Sequence, residues 1–119
     1  MKSIVLLLML LIACICTAGP QVVLTFDAPD LNISGLGYGA GSLWAVDNTT
    51  EMVYRLDPAN GSIQNSWYMS ENASRTPSGL TFANNTVYVI SILMPDLHAP
   101  VCYMYESSGA YLDYFSITC

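Results

Sequence analysis

Ser34-Gly35-Leu36 returns 44 positions on as Ser78-Gly79-Leu80, and at the same offset Leu43-Trp44-Ala45-Val46 returns as Val87-Tyr88-Val89-Ile90. Further along, Val53-Tyr54-Arg55-Leu56-Asp57 is answered by Cys102-Tyr103-Met104-Tyr105-Glu106, Gly61 by Gly109, and Trp67 by Phe115. The offset has grown there to 48 or 49, so the second unit carries an insertion, placed at Leu93 to Pro100. Repetition at this period is the mark of a repeat architecture.

Each unit reads as four short strands. Beside the inner strand that Gly35 starts, Leu43 to Val46, Met52 to Leu56, Ser62 to Tyr68, Gly79 to Phe82, Thr86 to Leu93, Val101 to Tyr105 and Ala110 to Ile117 are β-rich, with Gly, Asn, Asp, Ser or Pro clusters between them. No stretch after Pro20 holds a 3.6-residue apolar period. Four strands in about 45 residues make one β-propeller blade. The expected fold is all-β: two four-stranded antiparallel blades, residues 34–68 and 78–117, in an incomplete propeller within residues 19–119. Residues 21–26 alternate Val22, Leu24 and Phe26 on one face. They read as an orphan outer strand of a preceding blade.

Within a blade the repeated residues have physical jobs. Gly35 and Gly79 open the innermost strand, where neighbouring sheets crowd and a side chain would clash. Trp44 and Tyr88 sit mid-strand and fill space between packed sheets. Asp57-Pro58-Ala59-Asn60-Gly61 is a hairpin loop in which Pro58 sets φ and Asn60 or Gly61 takes φ > 0. Glu106-Ser107-Ser108-Gly109 is its counterpart.

These runs resemble bacterial extracytoplasmic propellers of the NHL-like, streptogramin-lyase-like and glutaminyl-cyclotransferase-like group. The resemblance spans nearly all of residues 21–117 and implies the blade, since its motifs are structural. The Leu56-Asp57…Gly61 run is also similar to quinoprotein blades. Those carry a Trp four residues after the Gly; here Asn65 holds that place and Trp67 follows two later. No quinone cofactor is implied, and no other cofactor is expected.

The amino terminus has the layout of a secretory signal peptide over residues 1–18. Lys2 gives a positive start, Ile4 to Ile12 is an unbroken apolar run, and Ala13 to Gly19 is small and weakly polar. The run is shorter than the roughly 20 residues that cross a bilayer as a helix. Cys16-Thr17-Ala18 offers a cleavage site before Gly19. Leu11-Ile12-Ala13-Cys14 resembles a lipobox in which Cys14 takes the lipid. Both place the mature chain outside the cytoplasm, in contact with a membrane only through its signal or a lipid anchor.

Three basic against nine acidic side chains give a formal charge of −6, which excludes a nucleic-acid or anionic-membrane surface. His98 is the single histidine. It stands in the inserted Pro95-Asp96-Leu97-His98-Ala99-Pro100 loop, where Asp96 can orient it. Firm metal binding takes three or four ligands, so a solvated loop histidine is the plainer reading and no metal is expected. A streptogramin-lyase-like reaction needs a His and a Glu over the channel, so that activity is not carried over and no catalytic residue is assigned. Asp47-Asn48-Thr49-Thr50-Glu51 lacks EF-hand spacing and reads as a turn with Asp47 capping backbone N–H groups.

Cys102 is expected to be buried, opposite about Asp113. Pairing with Cys119 would require the tail to double back. Asn32, Asn48, Asn60, Asn72 and Asn84 head Asn-x-Ser/Thr triplets, which are glycan sites only in a eukaryotic secretory protein.

Two blades are too few to close a propeller. The chain is therefore part of a larger gene product, or it joins copies of itself head to tail (three copies giving six blades), or it is a small open sheet. The first functional expectation is a non-enzymatic module that binds a protein or carbohydrate through blade-end loops. Candidate contacts there are Glu71 and Arg75 in Met69 to Ser78, and Asp96 and His98 in the insertion. The second is a fragment of a lyase- or cyclotransferase-type enzyme whose catalytic groups lie elsewhere. The third is a self-assembling ring using Tyr38, Trp67 and Tyr68 on sugars, although aromatics at this spacing are more often core.

Overall fold

The computed structural model describes residues 19–93 and 99–118. Eight strands follow one another: β1 (Ile33–Gly39), β2 (Ser42–Asp47), β3 (Met52–Leu56), β4 (Ile63–Tyr68), β5 (Thr76–Ala83), β6 (Thr86–Ile92), β7 (Val101–Glu106) and β8 (Tyr111–Ser116). They form two antiparallel four-stranded sheets, β1-β2-β3-β4 and β5-β6-β7-β8, with no helix among the described residues. Local chemistry explains the meander. Ala40-Gly41 and Asn84-Asn85 join the first two strands of each sheet with both φ values positive, the geometry of a two-residue hairpin loop. In the third hairpin of each sheet the positive φ falls on Gly61 and Gly109. Asp57 accepts there from the N–H groups of Ala59 and Gly61.

The two sheets repeat each other even in their irregularities. The ladder slips between Ile33 and Gly35 in the first blade and between Pro77 and Gly79 in the second. It slips again between Arg55 and Leu56, and between Met104 and Tyr105. Strand β5 starts before the expected Gly79 because Pro77 is admitted at the bulge of an edge strand, where its missing N–H breaks no ladder bond.

The sheets pack face to face, with β1 against β5. Gly35 carries the close approach: a Cβ there would lie 2.5 Å from the backbone nitrogen of Leu80. Ser34 Oγ donates to the Pro77 carbonyl (2.8 Å) and Asn65 Nδ2 to the Ser108 carbonyl (2.9 Å), tying the blades at both ends. Between them Trp44, Val46, Val53, Met69, Val87, Val89, Tyr103 and Tyr105 are buried. Trp44 stacks on Phe82 at 5.3 Å with the rings 8° apart, and Trp67 meets Trp44 edge-on at 6.2 Å. Trp67 is thus part of the core, whereas Tyr38 and Tyr68 are exposed.

Three expectations need correction. Residues 21–26 make no ladder, and Val23 is 92% exposed; strand propensity alone cannot form a strand without a neighbour to bond. Tyr88 does not lie between packed sheets. It lines an open face of the second blade with Gly79, Ile90 and Phe115. Cys102 is buried as expected but faces Phe115, not Asp113, because the hairpin closes between Glu106 and Ala110 and the bulge then adds one more residue to β8. Burial also raises the thiol's pKa. Cys119 lies outside the described residues.

Asp47 fixes the top of the first blade. Its carboxylate accepts from the N–H groups of Asn32 (2.7 Å), Thr49 (2.8 Å) and Thr50 (2.8 Å), so its oxygens are taken up by the backbone. Burial alone would raise its pKa, but the three donors together outweigh burial and hold it below the usual carboxylate range. The sign follows from that depression. The stabilisation is complete above the unfolded value of about 3.9 and is lost as pH falls through the lower folded value. Urea midpoints are expected to be flat from neutral pH to about pH 4 and to drop below it. Asp47→Ala, which strands three donors, is expected to cost about 2–3 kcal/mol at pH 7 and to flatten that acid limb. An unchanged acid limb in the variant would assign the loss to other carboxylates.

Candidate functional site

The loop from Met69 to Arg75 leaves β4 and enters β5. Met69 and Asn72 are buried and anchor it. Asn72 N–H donates to the Met69 carbonyl (3.1 Å), Arg75 N–H to the Asn72 carbonyl (3.0 Å), and Asn72 Nδ2 to the Arg75 carbonyl. Ala73 and Ser74 both take left-handed backbone, φ 46° and 64°, which non-glycine residues adopt at a cost. This tight reversal turns Glu71 and Arg75 to the same side. Burial of Asn72 also removes it as a glycan acceptor in the folded chain.

Glu71 and Arg75 line a cleft of about 460 Å³ with Val101, Tyr103, Tyr111, Tyr114 and Ser116. Its wall is aromatic. Tyr103 and Tyr114 face each other across β7 and β8 with centroids 6.2 Å apart, and Tyr111 meets Tyr105 edge-on at 5.8 Å. Glu71 is held at the rim. Ser70 Oγ donates to Oε1 (2.8 Å) and the Tyr105 hydroxyl to Oε2 (3.3 Å). Arg75 Nη1 donates to the Ala99 carbonyl (3.2 Å), and its other guanidinium donors have no side-chain or backbone acceptor among the described residues. Burial raises the pKa of Tyr103, and burial with the nearby Asp113 and Glu71 carboxylates raises that of Tyr111. Both phenols are therefore neutral donors at physiological pH.

The arrangement offers ring faces, neutral hydroxyls, one carboxylate and one guanidinium. It suits recognition of a polar ligand with an apolar face. Glu71 and Arg75, singled out on one loop, are brought together. Asp96, His98 and Cys14 lie outside the described residues. No group of three metal-ligating side chains occurs among the described residues. The tyrosines escaped sequence reasoning because strict alternation puts Tyr111 and Tyr114 on opposite faces. The bulge at Leu112 restores them to one. The equivalent slip between Arg55 and Leu56 lies at the same place in the first blade, so comparing the two repeats gives no signal of it.

No helix among the described residues is long and apolar enough to cross a membrane. No family model matches the chain, and no curated protein matches it. Among solved structures the chain is similar to the PQQ-bound form of aldose sugar dehydrogenase from Streptomyces coelicolor. The TM-score is 0.56 at 18% identity, over 82% of this chain and 33% of that one. The chain therefore spans about a third of that protein's length. At this identity the likeness concerns fold alone: two blades of β-propeller type, as an incomplete propeller.

Proposed function

We propose that this chain is an extracytoplasmic propeller module that binds a ligand without turning it over. The observation that carries the reading is the tyrosine-walled cleft with Glu71 and Arg75 at its rim. A carbohydrate fits it best. Sugar C–H faces pack on tyrosine rings, and the hydroxyls find both a carboxylate acceptor and guanidinium donors. The apolar leader of residues 1–18 supports export, with or without lipid on Cys14. Tyr103 and Tyr111, neutral at physiological pH, supply no general base.

Binding of glucose, N-acetylglucosamine and their disaccharides, followed by NMR shifts of the tyrosine ring protons, tests this. Shifts confined to Tyr111 and Tyr114 are expected, with Tyr114→Ala weakening the best ligand about tenfold, or 1.4 kcal/mol. Saturable binding that survives Tyr114→Ala and Glu71→Gln together would place the ligand elsewhere.

A second reading, a piece of a propeller enzyme, draws on the likeness to one third of a sugar dehydrogenase. A cluster of acidic and His side chains at the axis of a longer chain, with turnover to match, would favour it.

A further inference from the structure

The two blades meet through one face of each sheet, and each sheet has a second face. The blade-one side of the contact presents Gly35, Trp44, Val46, Val53 and Trp67. By ladder register their counterparts in blade two are Gly79, Tyr88, Ile90, Cys102 and Phe115. These line an apolar groove of about 400 Å³ that no described residue covers. A Cβ at Gly79 meets nothing within 4 Å, whereas one at Gly35 strikes the Leu80 backbone. Ile90 and Phe115 are 38% and 46% exposed, while Val46 is fully buried. Blade two thus carries the contacting face of blade one with no sheet upon it.

The complementary face is on this chain too. Blade two meets blade one through Leu80 and Phe82 of β5. Their counterparts on blade one are Leu36 and Tyr38, each 64% exposed. One further detail matches. Trp67 sits over Gly109, where a Cβ would lie 2.8 Å from its ring. Phe26 sits over the equivalent Gly61 in the same way. The free aromatic equivalent to Trp67 is Phe115.

We propose that the open face of the second blade docks on the first blade of a second copy of this chain, head to tail. Phe115 of one copy takes the place over Gly61 that Phe26 holds in the single chain. Phe26 is then an internal plug that competes with association. Thr81 and Ala83 replace Gly37 and Gly39 of the template contact. A Cβ at Gly37 meets first the Leu80 side chain and one at Gly39 the Phe82 ring, whereas at Gly35 it meets backbone first. Glycine is kept at Gly79, the counterpart of that backbone-limited position. The contact is therefore tightest along the Gly79–Ile90–Cys102–Phe115 row and opens toward the β5–β6 turn. A heterologous contact of this kind closes into a ring or runs on as a filament, according to the rotation between copies.

The test is solution mass by light scattering over about a hundredfold range of concentration. The chain is expected to associate with rising concentration, and Phe26→Ala to strengthen association several-fold. Ile90→Glu and Leu36→Glu, both at exposed positions, are each expected to weaken self-association at least tenfold. Mixed together they are expected to form a 1:1 dimer, because each keeps the face the other has lost. That dimer also shows that both variants are folded. Leu36→Glu that still self-associates points to contact between two second blades and overturns the proposal. So does a wild-type chain that stays monomeric throughout, or an associating wild type whose two variants give no mixed dimer. Sugar titration of the monomer reads the tyrosine cleft independently.

Discussion

Gly35→Ala is expected to lower the unfolding free energy by about 2–3 kcal/mol, the upper range for overpacking. Gly79→Ala, in the same motif, is expected to leave it within about 0.5 kcal/mol or to raise it slightly. The first new methyl lands 2.5 Å from the Leu80 nitrogen and 2.8 Å from the Gly79 carbonyl carbon. Those are backbone atoms that no rotamer change can move, so the sheets must part. Parting them loosens Trp44 from Phe82 and the Ser34 bond to Pro77. At Gly79 the methyl points into open space, so the smaller entropy of the unfolded chain decides the sign. Urea unfolding at low protein concentration compares the two. Equal losses would mean that the sheets do not meet at β1 and β5. The same Gly79→Ala change is expected to weaken self-association, since only a second copy makes that position crowded.

The blade was legible in the sequence because its rules are local and repeated. Glycine at the inner strand, an aromatic residue mid-strand and a turn ending in Gly61 or Gly109 recur in the same order, 44 and then 48 residues on, and two copies of a weak signal make a strong one. Three things were not legible, each for a physical reason. Tyr88 occupies the position of Trp44, yet what lies across from it is decided by a neighbouring sheet and not by its own strand. Residues 21–26 carry the alternation of a strand, but a ladder needs a partner. Phe26 nonetheless keeps the seat over Gly61 that Trp67 keeps over Gly109. The tyrosine cleft depends on one bulge residue, Leu112, and a bulge inverts the alternation from which faces are read. Glu71 and Arg75 could be placed on one loop, as candidate contacts, because loop residues beside a strand start need no register to be placed.

Trp44→Ala is expected to be the most damaging single change, at about 3–5 kcal/mol. A chain of this size holds about 5–15 kcal/mol in total, so a large share of molecules should be unfolded near 37 °C. The indole fills the middle of the only core that joins the sheets in the described residues, stacked on Phe82 and edge-on to Trp67. On its rim the Arg55 guanidinium lies 5.4 Å from the ring centroid, with Nε held by Ser42 Oγ at 2.9 Å. The ring nitrogen donates to the Gly39 carbonyl at 3.0 Å, closing the end of β1. Trp44→Phe separates these contributions. It keeps most of the apolar contact but removes the indole donor to the Gly39 carbonyl, for an expected cost of about 1–2 kcal/mol. Tyr88→Ala is the control at the equivalent position. On the open face the half-buried ring is packed from one side only in the single chain, so its cost is expected to stay well below that of Trp44→Ala. Near-UV circular dichroism and urea midpoints read all three. A Tyr88→Ala loss as large as that of Trp44→Ala would mean that the second blade's outer face is already covered within one chain. That would remove the asymmetry on which the docking of a second copy rests.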